Sequence, residues 1–573
     1  MEQDNIMQVR QHPVLDFAGE ELSSMITRYA AADKLDKKQI IIGTWQDCEE
    51  QLTATGNARQ WPWSSDAEDE NAHTEKASAG NAHAKVYSDD AYVIIEEDDR
   101  LILTGKSERS TLYAVYAYAK ETWGLLWVYP GQEPVIASQE SRSEPTTASR
   151  QASVSSKPVI DQPLYTRRGF VYENLKDEPY LLTVVDWLAK NRVNELFMTF
   201  MLWDHLGDAL LPELEKRGIT LTLGGHSMKF FLPQFADQKQ LDYTQMEWQE
   251  KVIADIVDYC RSIPILSRIS LWPEDAAVSA DEAAKTPFMP IYIRFTEQLR
   301  AALLAAGLEV EVEHIAYNAG LSWDMLELRD GMQSSEQLDT LFAYWGRDYS
   351  ENWSSDSREE DARAYASLQH WTRESSTRGR ALCVFEYYSD HFMLSPLFPS
   401  LPVRMRDDLT RFKSLGIDGI TNLVVPYPQA GADYSWKWAQ GYNSYLFARL
   451  TWGDDYEAAL SDYWQYAPAE ERAFLQSAMD RIGKPLSRIT AFNIPLFPAR
   501  VFDAKQVQKQ SPHAKEIVQI LTDLQHDLKY VLDYLKLKTD KKIRAFELYF
   551  AHLFRVSQEL AAEWEKKRID ERA

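Results

Sequence analysis

Eight short apolar runs alternate with amphipathic stretches between Leu164 and Trp452. Each run is a brief β-branched or aromatic segment, and the stretch that follows it has the periodicity of a helix. The predicted strands are Arg168–Tyr172, Glu195–Phe200, Ile219–Gly224, Ser267–Trp272, Glu309–His314, Thr340–Trp345, Arg380–Phe385 and Gly419–Val425. Strands that alternate with helices predict an α/β fold with a parallel sheet, and this number of units predicts a TIM (β/α)8 barrel.

The pattern changes on both sides of the predicted barrel, residues 164–452. Residues 1–135 combine strand-like runs with an amphipathic helix, Ser110–Trp123, for which a serine is available as N-cap, and predict an N-terminal α/β domain. The runs are Gln39–Gly43, Ala91–Glu96 and Leu101–Gly105. Residues 136–163 are mostly polar and predict an extended linker. After Trp452 the periodicity is helical, so residues 453–573 predict a C-terminal helical domain.

A chain of 573 residues, 45% of them hydrophobic, is long enough for about three globular domains. It has 62 Lys and Arg against 87 Asp and Glu, which gives a net charge of −25. Nucleic acids and anionic membranes are bound by basic surfaces, so this balance argues against both as partners. It suits a small neutral substrate, or an acidic one where basic residues concentrate locally.

The cysteines and the first residues of the chain indicate the cellular compartment of the protein. The three cysteines, Cys48, Cys260 and Cys383, are odd in number and far apart, which predicts isolated buried thiols rather than disulfides or a metal site. The first residues lack the basic and apolar regions of a secretory signal, and no apolar run reaches the roughly 18 residues that span a bilayer. The sequence therefore predicts a cytoplasmic protein, although removal of a signal would leave the same pattern.

Carboxylates follow several predicted strands, and the active sites of (β/α)8 barrels lie at strand ends. Glu274 and Asp275 are adjacent after strand four, and repulsion together with burial could raise the pKa of one into the range of a general acid. Asp348 follows strand six, and Glu386 follows strand seven. These four residues are the candidate catalytic acids. The structural alternatives are a helix cap for Asp275 and purely structural roles for Asp348 and Glu386.

Polar and aromatic side chains at the other strand ends predict a sugar-binding mouth. Aromatic rings offer flat faces to the C–H side of a sugar, and glycines let the backbone approach a ligand. The candidate substrate-binding residues are Glu173, Trp203, Asp204, His226, Glu313, Tyr317, Asn318, Tyr387, Tyr388, Trp438 and Asn443. All of these residue types also occur in packed cores and turns, so a structural role stays open for each.

The sequence lacks the motifs that are typical of several other enzyme classes. The chain has no GxSxG elbow, no P-loop, no GxGxxG after a strand and no HExxH. Paired carboxyl groups are what glycoside hydrolysis needs, one to protonate the leaving group and one to activate water or attack carbon. Two rivals remain: a non-catalytic carbohydrate-binding protein on a degenerate barrel, and a metal-assisted hydrolase. The metal ligands would come from Asp204, His226, His314 and His391.

Several segments resemble bacterial proteins related to α-glucuronidases. They are SxxSTLYAVY from Ser107, GLLWVYPG at Gly124–Gly131, RGF at Arg168–Phe170, GGHS at Gly224–Ser227, FEYYSD at Phe385–Asp390 and NSYLFARLTW at Asn443–Trp452. The resemblance implies an N-terminal hexosaminidase-like α/β domain, a catalytic TIM barrel and a helical tail. It covers about the first 470 residues.

The resemblance also implies catalytic roles. In the α-glucuronidases an acid after strand four works with carboxylates after strands six and seven in an inverting mechanism, which here implies Glu274 or Asp275, then Asp348, then Glu386. The acid pair of hexosaminidases is Asp-Glu, whereas this chain has Glu-Asp and lacks the glycines before it. That difference argues against substrate assistance by an N-acetyl group.

Together these features predict a cytoplasmic glycoside hydrolase that is exo-acting on short oligosaccharides and uses carboxylate acid/base catalysis. No cofactor and no metal are predicted, and homo-oligomerisation is left open. A uronic acid substrate would require a cation in the pocket, because an unpaired carboxylate is costly to desolvate. The candidates for that cation are Arg167, Arg168 and Arg347.

Overall fold

The structure is a computed structural model of the chain. It describes residues 5–30, 38–54, 87–137, 160–235, 241, 243, 246–273, 288–318, 323–328, 331–394, 397–426, 434–489 and 513–570. Residues 138–159 of the predicted linker and the candidate acids Glu274 and Asp275 lie outside these residues.

The first unit is a mixed sheet with helices on both faces. Its elements are β1 (Ile6–Gln8), α1 (Pro13–Tyr29), β2 (Gln39–Thr44), α2 (Trp45–Ala54), β3 (Tyr92–Glu96), β4 (Arg100–Gly105), α3 (Glu108–Trp123), the short hairpin β5 (Leu125–Leu126) and β6 (Val135–Ile136), and β7 (Ile160–Asp161). The five-stranded sheet has the order β1-β2-β4-β3-β7. β1, β2 and β4 run parallel, and β3 is antiparallel to β4 and β7.

Strand alternation explains the two cores of this unit. Successive side chains of a strand point to opposite faces. Ile40 and Ile42 of β2 therefore pack in the core that contains α1 and α3, while Ile41 packs with Trp45 and Cys48 on the other face. Helix α3 begins at Glu108, two residues before the predicted start, because Ser107 caps it in a capping box with Ser110.

The second unit is the predicted barrel, and the prediction is confirmed. Eight parallel strands close in the order β8 to β15. They are β8 (Arg167–Tyr172), β9 (Glu195–Thr199), β10 (Thr220–Gly225), β11 (Leu266–Leu271), β12 (Glu311–Tyr317), β13 (Asp339–Ala343), β14 (Leu382–Asp390) and β15 (Gly419–Val425). The helices are α4 (Glu178–Lys190), α5 (Phe200–Glu215), α6 (Met228–Phe231), α7 (Met246–Cys260), α8 (Phe288–Ala305), α9 (Glu359–Thr377), α10 (His391–Leu394), α11 (Pro402–Ser414) and α12 (Lys437–Trp452).

Helices follow the barrel as predicted. They are α13 (Tyr456–Trp464), α14 (Ala469–Ile489), α15 (Ala514–Leu535) and α16 (Ile543–Asp570). Among the described residues, none of the helices is both long enough and apolar enough to cross a bilayer. Cys48, Cys260 and Cys383 are buried and are not joined in disulfides, as predicted.

The lower end of the barrel lumen, where the strands begin, is filled by ion pairs. Arg167 donates to Glu195 at 2.7 Å and to Glu313 at 2.6 Å, and both carboxylates are buried. Arg268 lies 2.9 Å from Asp339 and 3.7 Å from Glu313. Burial would raise the pKa of Glu195, but Arg167 holds it below its usual range. This ionic layer shows which side chains of each strand face the lumen.

Candidate active site

Aromatic rings separate the ionic layer from the mouth of the barrel. Trp272, which directly follows β11, meets Phe197 of β9 and Phe385 of β14 edge-on, each with ring centroids 5.3 Å apart. Trp272 Nε1 also donates to Ser270 within the lumen at 3.0 Å. Side chains beyond these rings lie at the carboxyl ends of the strands, where barrel enzymes hold their active sites.

His226 is the best-defined polar group on one side of the mouth. It follows Gly225, whose φ of 69° is in the left-handed region that glycine adopts freely. Its Nδ1 lies 2.6 Å from the carbonyl oxygen of Pro273. A carbonyl only accepts, so Nδ1 carries the proton and Nε2 of the neutral ring is an acceptor. The half-buried ring lies 5.4 Å from the ring of Trp272 and 6.2 Å from that of Tyr317.

Glu173 lies beside His226 at the end of β8. A Cβ atom on Gly225 would lie 3.4 Å from Glu173 Oε1, so this carboxylate is within van der Waals contact of the residue that precedes His226. The hydroxyl of Thr199 donates to the carbonyl oxygen of Glu173 at 3.0 Å and ties the ends of β8 and β9 together. The side chain of Glu173 is half-buried.

A β-bulge changes the phase of β14 at the mouth. Glu386 pairs with Asn422 of β15, but the next pairs are Ser389 with Val424 and Asp390 with Val425. Strand β14 therefore has one residue more than β15 over this stretch, which reverses which side chains face the lumen. Asp390 pairs with Val425 and faces the same side of the sheet. Val425 lies four residues after Thr421 in β15, so its side chain faces the same side as that of Thr421. The Thr421 methyl group is 2.7 Å from where a Cβ on Gly169 would be, inside the lumen.

Asp390 is thus an inward-facing carboxylate at the end of β14. It is 1% exposed, and its Oδ2 accepts a hydrogen bond from the backbone N–H of Met393 at 3.2 Å. The sequence prediction did not include it among the site residues. Its position depends on the bulge, for which the run Glu386-Tyr-Tyr-Ser-Asp390 gives no glycine or proline signal.

Glu386 points the other way, toward α11. Its Oε1 accepts from Arg347 at 2.8 Å and its Oε2 accepts from the Tyr349 hydroxyl at 2.7 Å. Arg347 also donates to Asp408 of α11 at 2.6 Å, and Tyr388 donates to the same carboxylate at 2.8 Å. Burial raises the pKa of Glu386 to about 7 against the opposing effect of Arg347. The predicted placement of Glu386 at the mouth is wrong. Its neighbour on the strand, Phe385, faces the lumen, so Glu386 faces away from it.

His391 and the start of α12 form the side of the mouth next to Asp390. His391 Nδ1 lies 2.9 Å from the carbonyl oxygen of Val425, and its ring lies 5.6 Å from that of Trp436. Gln440 donates to the carbonyl oxygens of Ser389 and Val425, both at 3.0 Å. Helix α12 therefore fixes the ends of β14 and β15 together. As with His226, a backbone carbonyl determines which ring nitrogen of His391 carries the proton.

Two predicted tyrosines lie near this mouth. Tyr317 ends β12, is half-buried and approaches His226 as described. Tyr387 is buried in the lumen, with its ring 5.0 Å from that of Phe385. Asn318 connects the segments that follow β12 and β13. Its side chain donates to the carbonyl oxygen of Trp345 at 2.6 Å and accepts from the Trp345 N–H at 2.8 Å.

Three other predicted residues are held by contacts within the protein. Glu313 was predicted at the end of strand five, but β12 continues to Tyr317 and leaves Glu313 in the ionic layer at the lower end. Asp348 forms a turn, in which Oδ1 accepts from the N–H of Ser350 at 2.8 Å. Asn443 is buried and donates to the carbonyl oxygens of Tyr388 and Pro399. These positions are held by structural contacts.

Three further predictions fall in the helical layer. Trp203 lies in α5, where its ring covers Gly207. Asp204 is exposed on the same helix and accepts from Tyr259 of α7 at 3.4 Å. Trp438 is buried against the C-terminal helices, with its ring 4.6 Å from that of Phe546. The contacts described for these three side chains are with helices, so they give no support to the predicted placement at the mouth.

The arginines considered for an acidic sugar are also placed elsewhere. Arg167 lies in the ionic layer, and Arg347 lies between Glu386 and Asp408. Arg168 is completely buried outside the lumen, where it donates to Asp90 at 2.7 Å. In the part of the chain that the structure describes, no group of three or more His, Cys, Asp and Glu side chains is placed to hold a metal ion.

The barrel fold is shared with solved glycoside hydrolases. One similar structure is that of a "GH138 enzyme targeting pectin rhamnogalacturonan II", with 13% sequence identity and a TM-score of 0.57 over 98% of this chain and 70% of that chain. Another is CpGH84B, with 11% identity and a TM-score of 0.50 over 98% of this chain and 87% of that chain. No protein-family model and no curated protein sequence matches this chain. The likeness at these identities concerns the fold.

His314, a possible metal ligand in the sequence, lies on the outer face of β12. Its ring packs 5.3 Å from that of Trp371 in α9, and its Nε2 lies 3.3 Å from the Thr340 hydroxyl. Nδ1 is buried without a hydrogen-bond partner among the described residues. Burial lowers the pKa of His314 to about 3, so the folded protein holds the neutral ring.

This buried histidine should make the barrel sensitive to acid. Its pKa is lower in the folded state than the roughly 6.5 of an unfolded chain, so the unfolded state gains a proton first and stability falls as the pH drops below 6.5. Between pH 7 and pH 5 the wild type should lose about 2 kcal/mol more stability than His314→Gln. Urea unfolding at both pH values measures this, with the exposed His526→Gln as control. Equal losses in wild type and His314→Gln would contradict it.

Proposed function

We propose that this chain is a glycoside hydrolase with catalytic carboxylates at the carboxyl ends of β8, β11 and β14. The observation that carries the proposal is a pair of inward-facing carboxylates, Glu173 and Asp390, each beside a histidine whose Nδ1 is fixed by a backbone carbonyl. Hydrolysis of a glycosidic bond requires two carboxyl groups near the scissile bond, and β8 and β14 are separated in the barrel only by β15. His226 then offers Nε2 to sugar hydroxyl groups.

The strand-four acids complete the proposed machinery. Glu274 and Asp275 come directly after Pro273, whose carbonyl is held by His226. We assign one of them as the acid or base that works with Asp390, in place of the predicted partner Glu386. One carboxyl group would protonate the leaving oxygen, and the other would activate water or attack the anomeric carbon. Asp348 is left out of the pair because its carboxylate is used in a turn.

The proposed substrates are short oligosaccharides cleaved from one end. Trp272 and Tyr317 beside His226 are aromatic faces of the kind that sugars stack on. The likeness to an enzyme targeting pectin rhamnogalacturonan II adds fragments of that polymer to the candidates. Uronides and N-acetylhexosaminides stay candidates from the sequence resemblance.

A substrate screen tests the proposal. Purified protein is incubated with aryl hexosides, uronides and N-acetylhexosaminides and with oligosaccharides that include rhamnogalacturonan II fragments. Release of a monosaccharide is expected, and NMR of the first product gives its anomer and so distinguishes retention from inversion. Calorimetric binding of an oligosaccharide without any turnover would instead favour the carbohydrate-binding alternative. Activity that depends on added metal would favour the metal-assisted one.

A further inference from the structure

Helix α12 directs three buried polar side chains at the end of β14. They are Gln440, Asn443 and Ser444, and their spacing of three and four residues places them on one face of the helix. We call these three residues the polar face of α12. Buried polar groups require hydrogen-bond partners, and the stretch of β14 that contains the bulge supplies them.

Each member of the polar face contacts the bulged stretch at a different atom. Asn443 donates to the carbonyl oxygen of Tyr388 at 2.7 Å, and Gln440 donates to that of Ser389 at 3.0 Å. The hydroxyl oxygens of Ser444 and Ser389 lie 3.0 Å apart. A bulge locally disrupts the hydrogen bonds between two strands. The backbone of this bulge is therefore held from the side by the helix.

Gln440 also joins the bulge to the end of β15. Its amide nitrogen donates to the carbonyl oxygens of Ser389 and Val425, each at 3.0 Å. A carbonyl oxygen only accepts, so the NH2 group must face both of them. The amide oxygen then faces the hydroxyl of Tyr434, which donates to it. Three hydrogen bonds thus fix the orientation of the Gln440 amide.

The backbone groups that Gln440 holds lie next to the proposed catalytic carboxylate. Ser389 directly precedes Asp390, so the position of the Ser389 carbonyl fixes the backbone from which the Asp390 side chain projects. The Val425 carbonyl oxygen lies 2.9 Å from His391 Nδ1 as well. Gln440 is therefore one contact away from two side chains of the mouth.

We propose that Gln440 is a positioning residue that holds Asp390 in its lumen-facing orientation for catalysis. The inference rests on the proposed function, in which Asp390 is the acid or base. Gln440 is 3% exposed, so it acts through the backbone of β14 and not by contact with the substrate. A catalytic group that is misplaced by about 1 Å can lose about 10²-fold in rate. Loss of Gln440 should therefore lower kcat more than it changes KM.

Gln440→Met tests the role directly, because methionine keeps the length of the side chain and removes both donors. On the glycoside that the screen identifies, kcat should fall by about 10–100-fold and KM should change by less than about threefold. The matched control is Gln249→Met, since Gln249 of α7 is 4% exposed and also donates to a backbone carbonyl, that of Tyr243. Both variants should melt at a lower temperature, but only Gln440→Met should lose turnover. Wild-type kcat in Gln440→Met would overturn the proposal.

Gln440→Glu gives a readout that a loss of packing would not change. Its carboxylate would face the carbonyl oxygens of Ser389 and Val425 without a proton to donate, whereas the protonated acid can donate to one of them. Burial raises the pKa of a carboxyl group, which brings its protonation toward the neutral range. The kcat of Gln440→Glu relative to wild type should therefore rise as the pH falls from 8 to 5, and the ratio for Gln440→Met should stay constant. Ratios that follow the same course in both variants would contradict the proposed hydrogen bonding.

Hydrogen exchange distinguishes a failure of this proposal from a failure of the proposed function. Amide exchange is followed by mass spectrometry in wild type, Gln440→Met and Gln249→Met. Exchange in residues 386–394 should become faster only in Gln440→Met, because the Met393 N–H is bonded to Asp390 Oδ2. Unchanged exchange in that segment would refute the positioning contact even if Gln440→Glu fails to fold. Absence of turnover in the wild type would reject the proposed function, and with it the catalytic part of this inference.

Discussion

Asp390→Asn should reduce turnover of a glycoside with a poor leaving group by about 10²–10⁴-fold, the usual contribution of general acid–base catalysis. Glu386→Gln should reduce it by less than about tenfold, because Glu386 faces α11 and would act only through Arg347 and Tyr349. The comparison is informative because both residues lie in one strand and differ in which side of the sheet they face. The kinetic constants of both variants are measured on the substrate that the screen identifies.

The raised pKa of Glu386 makes this comparison necessary. A carboxyl group with a pKa near 7 is what a general acid requires, so electrostatics alone would favour Glu386. Geometry favours Asp390, because a catalytic group must reach the substrate. Asp204→Asn, an exposed change of the same chemistry on α5, is the control. Loss of turnover in Glu386→Gln with an unchanged melting temperature, and full activity in Asp390→Asn, would restore Glu386 as the catalytic residue.

Strand positions were predictable because the barrel repeats one simple pattern. Each strand is a short apolar run, and each run is buried on one face by the helix next to it. Gly419–Val425 was placed with both ends correct, and most other strands were within about two residues. The exceptions were the carboxyl ends of β12 and β14, where residues 315–317 and 386–390 continue the strand beyond its predicted end. Those ends are where the candidate site lies.

The residues at these ends were misplaced for reasons that no local pattern contains. Glu386 and Asp390 are four residues apart and would face the same side of a regular strand, but one extra residue between them in β14 turns Asp390 to the lumen. Glu313 is held by Arg167, which comes 146 residues earlier in the chain. Trp438 is covered by Phe546 of α16. Pairings over such distances depend on the folded barrel and are absent from the local sequence.

The ionic layer at the lower end of the lumen gives the largest expected effect on stability. Arg167→Met should destabilise the barrel by about 3–5 kcal/mol, because it leaves the buried Glu195 and Glu313 without their main cation. A loss of this size corresponds to a fall in melting temperature of roughly 6–10 °C for a domain of this length. The exposed Arg363→Met, which breaks a surface pair with Glu327, should cost less than about 1 kcal/mol and is the matched control.

The pH dependence of Arg167→Met separates lost charge compensation from lost packing. Arg167 holds the pKa of the buried Glu195 down, so without Arg167 this glutamate is easier to protonate and the variant should gain stability relative to wild type as the pH falls from 8 to 5. Adding Glu195→Gln and Glu313→Gln to Arg167→Met should recover much of the loss at neutral pH, since neutral side chains need no cation. Melting curves of the three proteins at both pH values measure this. A pH-independent loss that the glutamines do not reduce would mean that Arg167 stabilises the barrel by packing rather than by its charge.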